Sequence, residues 1–250
     1  LLTSYMAWGI DCVNFLNGIF AFAIWDEKRK RLFMARDRLG VKPLFYIQKG
    51  RDLLFGSEIK ALLAHPDVEP IITEEGLLEV FGLGPGRTPG IGVFKDIKEL
   101  EPGYFLVYSK MGMKVKRYWR LESKEHNDSF AQTTEKLKHL LVDAVERQLI
   151  SDVPVCTFLS GGLDSSAISA IVANKFKRDG NDTLDTYSVD YVDNEQYFKP
   201  SEFQPNDDRK WIKVMQEEIG SNHNNVVLQM DQLVRALEDS VRASDLPGMA

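Results

Sequence analysis

Residues 158–166 read FLSGGLDSS, and within them Ser160, Gly161, Gly162, Leu163, Asp164, Ser165 and Ser166 combine hydroxyls, a glycine pair and one carboxylate. Gly161 and Gly162 let a backbone come close to a phosphate, and Ser160, Ser165 and Ser166 offer hydroxyl donors. The lysine of the ordinary nucleotide loop is missing. Asp164 would repel a phosphate unless a divalent cation stood between them, most simply magnesium, which takes oxygen ligands. Such a loop suits a pyrophosphate that departs with its metal better than a transferred terminal phosphoryl group. The same residues could instead cap a helix and do nothing more, because Ser and Asp favour helix N-termini. The glycine pair after an apolar run tips the reading towards a nucleotide.

Chemistry of this kind needs a strand that ends and a helix that begins. VPVCTFL before the loop is apolar almost throughout, as a parallel strand buried on both faces is, which makes Cys156 a buried core thiol. SSAISAIVANKF after it has helical spacing, so the loop falls at a strand-to-helix turn, where unpaired amides and the helix dipole attract anions. Downstream, LDTYSVDYV, DRKWIKVMQEEIG, NVVLQ and DQLVRALEDSV alternate strand-like and helical segments, the pattern of a parallel sheet covered by helices. Upstream, Phe130, Leu137, Leu140, Leu141, Ala144, Val145 and Leu149 fall on one face of a long helix.

The N-terminal half has another texture. NGIFAFAIWD, RLFMARD, LFYIQ and DLLFGSE are short apolar runs broken by turn residues, which predicts antiparallel strands. SEIKALLAHP predicts a short helix capped by Ser57 and stopped before Pro66, and TEEGLLEVF another capped by Thr73. Residues 82–103 are rich in Gly and Pro and predict a structured loop, and YFLVYS with KVKRYW predicts a hairpin around Met111 and Gly112. The polar stretch LESKEHNDS, residues 121–129, contributes little to a core and is the expected linker. The expected organisation is therefore α+β over 1–125 and α/β over 126–250.

Composition narrows the partners. The chain has 250 residues, 44% of them hydrophobic and 27% charged, which is ordinary for a folded protein. A net charge of -6 disfavours nucleic acid as the main partner, since that binding needs dense Lys and Arg. DEKRKR at 26–31 reads as a solvated turn. The apolar run from Gly18 to Trp25 is too short to cross a membrane, no secretory signal is visible, and a cytoplasmic protein is expected. Cys12 and Cys156 do not suggest a disulfide framework. His65, His126, His139 and His223 are too scattered for a zinc site.

SGGLDSS is similar to the pyrophosphatase loop of the N-type ATP pyrophosphatases. Together with RDRLGVKPLFY and FGSEIKALL, it makes the chain resemble the glutamine-hydrolysing asparagine synthetases over essentially its whole length. The resemblance implies a class II amidotransferase domain of the N-terminal nucleophile hydrolase type, an antiparallel-sheet domain truncated here, followed by a parallel-sheet PP-loop domain. It implies asparagine synthesis from aspartate, ATP and glutamine-derived ammonia through an aspartyl-adenylate, with Mg2+, small molecules as the partners and a homodimer as an admissible assembly. By that resemblance Phe158, Leu159, the loop from Ser160 to Ser166, Val189 and Asp208 bind ATP and pyrophosphate, and Asp164 meets the metal; Asp207 is the alternative register for Asp208.

Ile19, Val41 and Phe158 match apolar positions along the family's ammonia channel, Arg36 and Asp37 lie in the segment where its domains meet, and Glu58 matches a channel or interface position. Arg36, Asp37 and Arg38 could equally pair on a surface beside a turn at Gly40 and Pro43. The chain begins at Leu1, without the N-terminal cysteine on which the family's glutaminase depends, and Cys12 lacks a terminal amine to replace it. It stops at SDLPGMA, before the family's second glycine- and acid-rich loop. The expectation is an interior portion of a longer protein, inactive as a glutaminase. The rival readings are a related amide- or β-lactam-forming synthetase and a non-catalytic nucleotide-binding module.

Overall fold

The computed structural model describes residues 1–84, 86–199, 202 and 207–247. They form two compact units: residues 1–124 together with the described residues from 237 on, and residues 125–236.

The first unit opens with α1 (Leu2–Trp8) and a 3-10 turn (Gly9–Asn14), then β1 (Ala21–Asp26), β2 (Arg31–Arg36), β3 (Phe45–Lys49) and β4 (Asp52–Gly56). α2 (Ile59–Leu63), α3 (Glu74–Gly82), β5 (Lys98–Glu99), β6 (Tyr104–Ser109) and β7 (Gly112–Arg117) follow. The strands pair antiparallel in two sheets, β1-β2-β6-β7 and β4-β3-β5. The expected hairpin is β6–β7, joined tightly where Ser109 pairs with Gly112. The Gly- and Pro-rich segment is not wholly loop, since β5 pairs with β3.

Strand alternation builds the layers. On β2, Phe33 and Ala35 join Tyr5, Cys12 and Val13 on one face, while Met34 on the other joins Leu44, Tyr46 and Leu106 between the sheets. Phe45 and Ile47 of β3 then bury against Ile59 and Leu62 of α2, with Leu246 in the same core. Thr73 caps α3 as expected, its Oγ accepting from Gly76 N–H at 3.0 Å. Ser57 does not cap α2. Its first free amide, Ile59 N–H, is instead met by the carboxylate of Asp245 at 2.5 Å.

The second unit contains α4 (Phe130–Arg147), β8 (Cys156–Phe158), α5 (Leu163–Asp179), β9 (Asp185–Tyr191), α6 (Asn194–Tyr197), α7 (Arg209–Ile219) and β10 (Asn222–Leu228), and leads into α8 (Met230–Ser244). Its three strands are parallel in the order β10-β9-β8. A core of Val145, Val172, Ala173, Leu184 and Ile219 ties α4, α5 and α7 together under the sheet. Ser129 opens α4 with a capping box shared with Gln132.

Two expectations of burial fail here. β8 is a three-residue edge strand, so it lacks the second neighbour and second covering layer that would bury both faces; Cys156 and Phe158 are exposed and Leu159 beyond it is fully buried. The apolar face of α4 is present, but Val145 alone among its residues is buried, and Phe130, Leu137, Leu140 and Leu141 remain exposed.

Candidate functional site

The turn after β8 is shaped by glycine geometry and by hydrogen bonds among its own serines. Leu159 anchors its start, with a buried side chain and an N–H that donates to Tyr187 O at 2.8 Å. Gly161 sits at φ +83, in the left-handed region, and a Cβ there would lie 2.7 Å from Asp208 O, so only glycine fits. The Ser160 N–H donates to Ser165 Oγ at 3.2 Å, the two hydroxyls lie 2.9 Å apart, and the Ser165 hydroxyl donates to Gly162 O at 3.2 Å.

α5 begins without a side-chain cap. Its N-cap is Gly162, and the first helical bond runs from Ser166 N–H to Gly162 O at 3.1 Å. The amides ahead of it have no intrahelical acceptor and point to the space before the helix. Asp164, in this first turn, is exposed and has no side-chain partner among the described residues. It does not serve as a cap.

Beside the turn lies a cavity of about 620 Å³. Phe158, Leu159, Ser160, Val189 and Asp208 of the expected set line it. Gly161 adjoins it through Asp208, whereas Gly162, Leu163, Asp164, Ser165 and Ser166 lie at the start of α5, outside the lining. The β8–β9 ladder ends with Phe158 opposite Tyr187. Alternate residues of a parallel strand direct their backbone groups to opposite neighbours, so Val189 turns its N–H and C=O towards the space past the end of β8.

Sequence reasoning missed the polar wall of this cavity: Ser188, His223 and Asn225, with Arg209 and Lys213. The signal was present as polar residues at every second position, Thr186 and Ser188 on β9, His223 and Asn225 on β10. Only the parallel register, which sets Thr186 opposite His223 and Ser188 opposite Asn225, shows that they meet. His223 lies between Thr186 Oγ and Ser188 Oγ, each 2.9 Å from a ring nitrogen, and burial pushes its pKa below the usual histidine value. Arg209 at the rim pairs with Glu195 at 2.6 Å and with Asp207, and lies 3.9 Å from Asp190. Its hydrogen bonds hold the Asp207 carboxyl below the ordinary carboxylate range.

The residues expected in the first unit are placed differently. Arg36 and Asp37 are buried rather than paired on a surface. Arg36 donates to the carbonyls of Gly40, Lys42 and Leu100, each at 2.7 Å, and pairs with Glu99 at 2.9 Å. Asp37 accepts from the N–H groups of Leu39, Val41 and Lys42 at 3.0 to 3.1 Å. Burial works to raise the Asp37 pKa, but these amides, with that of Phe20, leave it lowered. Together the two side chains clamp the turn at 38–43. Ile19 lines a second cavity of about 600 Å³ with Asn17, Gly18, Lys42, Pro43 and Ser57; Val41 and Glu58 adjoin that lining in sequence without forming part of it. Glu58 pairs with Lys60 at 2.9 Å.

Among the described residues no group of three or more His, Cys, Asp or Glu could hold a metal, and no helix is long and apolar enough to cross a membrane.

Residues 1–119 match a glutamine amidotransferase domain family and residues 136–250 match the asparagine synthase family. Over all 250 residues the chain is 58% identical to asparagine synthetase [glutamine-hydrolyzing] 3 of Bacillus subtilis and spans 41% of that relative's length. It is 35% identical over 176 residues to putative asparagine synthetase [glutamine-hydrolyzing] 2 of Methanocaldococcus jannaschii, covering 69% of this chain and 34% of the relative. It is 33% identical over 194 residues to amidase chry2 of Gibberella zeae, covering 73% of this chain and 28% of the relative. A solved glutamine phosphoribosylpyrophosphate amidotransferase from B. subtilis overlaps 92% of this chain and 62% of its own at 14% identity and a TM-score of 0.30, too slight a likeness to bear on the fold.

Proposed function

The chain belongs to the asparagine synthetase family, and from that premise we propose that residues 125–236 are the PP-loop part that binds magnesium ATP. The reaction served is activation of the aspartate side-chain carboxylate by adenylate transfer, with pyrophosphate leaving and ammonia then displacing AMP to give asparagine. Residues 1–124 are the corresponding part of an amidotransferase of the N-terminal nucleophile hydrolase type, which supplies ammonia from glutamine. The proposed place of work is the cytoplasm, where ATP and free amino acids are at hand.

The observation that carries this reading is the turn itself: a left-handed Gly161 pressed against Asp208, before a helix that has no side-chain cap and whose Asp164 has no side-chain partner among the described residues. A Cβ at residue 161 would close the cradle, and uncapped amides are what a phosphate needs. One carboxylate is enough for magnesium, which keeps waters and phosphate oxygens as its other ligands. When bound, the ion would offset the charge of the departing pyrophosphate, with Asp164 as its protein ligand.

The chain's own residues divide the remaining work. The α5 amides and Ser160 hold phosphate oxygens, and Gly162, Leu163, Ser165 and Ser166 give that first turn its shape. The backbone at Phe158 and Val189 meets the base, Leu159 anchors the strand end, and Asp208 fixes the tip of the turn. Ile19, Val41 and the exposed Phe158 ring are suited to neutral ammonia, because apolar walls disfavour ammonium. Arg36 and Asp37 act by holding the turn at 38–43, and Glu58 by pairing with Lys60 beside it.

Calorimetric titration of the chain with ATP tests the proposal. Binding is expected with magnesium, weaker by about tenfold or more with EDTA, which corresponds to losing about 1.4 kcal/mol. Asp164→Ala should remove the difference between the two conditions. Equal binding by Asp164→Ala and the unaltered chain in magnesium would refute the metal role, and no binding by either would refute the nucleotide site. A relative named as an amidase, at 33% identity, makes amide chemistry other than asparagine synthesis the second reading, and a screen of acceptor acids for pyrophosphate release separates the two.

A further inference from the structure

Hydrogen bonds link the polar wall of the nucleotide cavity into one series. Ser188 Oγ donates its one hydrogen to Asn225 Oδ1 at 3.1 Å. It therefore meets His223 Nε2, 2.9 Å away, as an acceptor, and that ring nitrogen carries the proton. With the proton on Nε2, Nδ1 accepts from the Thr186 hydroxyl at 2.9 Å, and burial, which disfavours the charged ring, works in the same sense. Thr186, its hydrogen spent, accepts from Ser221 Oγ at 3.0 Å. The series runs one way, from Ser221 through Thr186, His223 and Ser188 to the oxygen of Asn225. Thr186 and Ser188 are buried, which makes loss of any bond costly.

The end of the series is what faces the cavity. Oδ1 of Asn225 is engaged by Ser188, and Nδ2 has no acceptor among the described residues. Two N–H donors are thus held ready in a cavity wall. Asn225 stands opposite Ser188, one residue before Val189 on β9, and the exposed Phe158 ring lines the same cavity. The loop at Gly161 and Asp208 marks the phosphate end, and Asn225, on β10 two strands away from the β8 that leads into that loop, stands apart from it among neutral polar groups. A nucleobase fits there, since its π-face can lie against an aromatic ring and its ring nitrogens accept hydrogen bonds.

Resting on the nucleotide reading above, we propose that Asn225 is a specificity residue that donates from Nδ2 to a ring nitrogen of a purine base, oriented by the Ser188–His223–Thr186–Ser221 series. Side-chain readout would thus add to the backbone contacts at Phe158 and Val189. Asn225 is exposed and lies on an edge strand, so replacing it leaves the core intact.

The test is a cycle between protein and ligand. Binding of ATP and of three analogues, each with N1, N3 or N7 replaced by CH, is measured by calorimetry on the unaltered chain, Asn225→Ala and Asn225→Asp. One analogue should bind the unaltered chain about tenfold more weakly than ATP, the scale of one lost hydrogen bond. Asn225→Ala should weaken ATP by a similar factor yet cost nothing further with that analogue. Asn225→Asp, which presents acceptors instead of donors, should weaken ATP more than Asn225→Ala does. Ser188→Ala, which releases the carboxamide to turn, should lie between Asn225→Ala and the unaltered chain. A penalty that is the same for ATP and every analogue, or no penalty, overturns the inference while leaving the nucleotide site standing. Absence of ATP binding to the unaltered chain overturns both.

Discussion

Asp26 shows what a single side chain contributes outside the nucleotide cavity. It accepts from Arg29 N–H at 3.0 Å, from the Tyr5 hydroxyl at 2.8 Å and from Arg29 Nη1 at 3.1 Å. These bonds, that to the Arg29 amide foremost, lower its pKa from 3.8 to about 2. An unfolded aspartate titrates near about 3.9, so the folded state favours the ionised form. The stabilisation is complete above about pH 4 and is lost as pH falls through 4 towards 2. Denaturant midpoints measured between pH 7 and pH 2 should therefore decline over that window, and Asp26→Asn should be less stable at pH 7 with a shallower decline. An equally steep decline in Asp26→Asn would show that other carboxylates control acid unfolding. At this scale the chain sequence was informative where chemistry is contiguous: the loop from Ser160 to Ser166 is visible because seven neighbouring residues carry it. The wall of Ser188, His223 and Asn225 was hidden because His223 reads as solitary until the β9–β10 register places it between two hydroxyls.

Helix caps divide the same way between what neighbouring residues reveal and what only the fold supplies. Thr73 and Ser129 cap α3 and α4 from within their own segments and could be recognised from sequence alone or from a nearby Gln. For α2 the adjacent Ser57 was a reasonable candidate, but the acceptor comes from Asp245, 186 positions away. The exchange is reciprocal. Asp245 receives the first amide of α2, while Lys60 Nζ donates to the carbonyls of Arg242 and Ala243 at the end of α8, at 3.1 and 3.0 Å, and pairs with Asp245 at 2.9 Å. Asp245→Ala removes the α2 cap and one of the two carboxylates that pair with Lys60, which should cost about 1 to 2 kcal/mol in urea unfolding. Ser57→Ala should stay within about 0.5 kcal/mol of the unaltered chain. A larger loss for Ser57→Ala than for Asp245→Ala would reverse the assignment. Burial was less legible than periodicity: an apolar run such as VPVCTFL does not say whether its strand will be central or at an edge, and an apolar helix stripe does not say how much of it a partner covers.

Across the whole molecule, the antiparallel and parallel halves were legible because strand spacing changes character on either side of the polar stretch 121–129. Chain order alone does not reveal that Leu246 enters a core with Phe45, Ile47 and Ile59, since nothing near Leu246 in sequence specifies that contact. The division into two units gives ligand binding a spatial signature. Every residue lining the proposed nucleotide cavity lies within 125–236. A ligand present at a hundred times its Kd stabilises the cooperative unit that holds it by about 2.7 kcal/mol. That energy reaches only the hydrogen bonds broken in openings that also release the ligand. Hydrogen exchange followed by mass spectrometry, with and without magnesium ATP, should therefore slow in peptides from β8, α5, β9 and β10 by up to about a hundredfold. Exchange in the β1-β2-β6-β7 sheet should be unchanged, because its opening leaves the cavity intact. Equal slowing in both units would mean that they open as one cooperative body, and slowing confined to the first would place the nucleotide elsewhere.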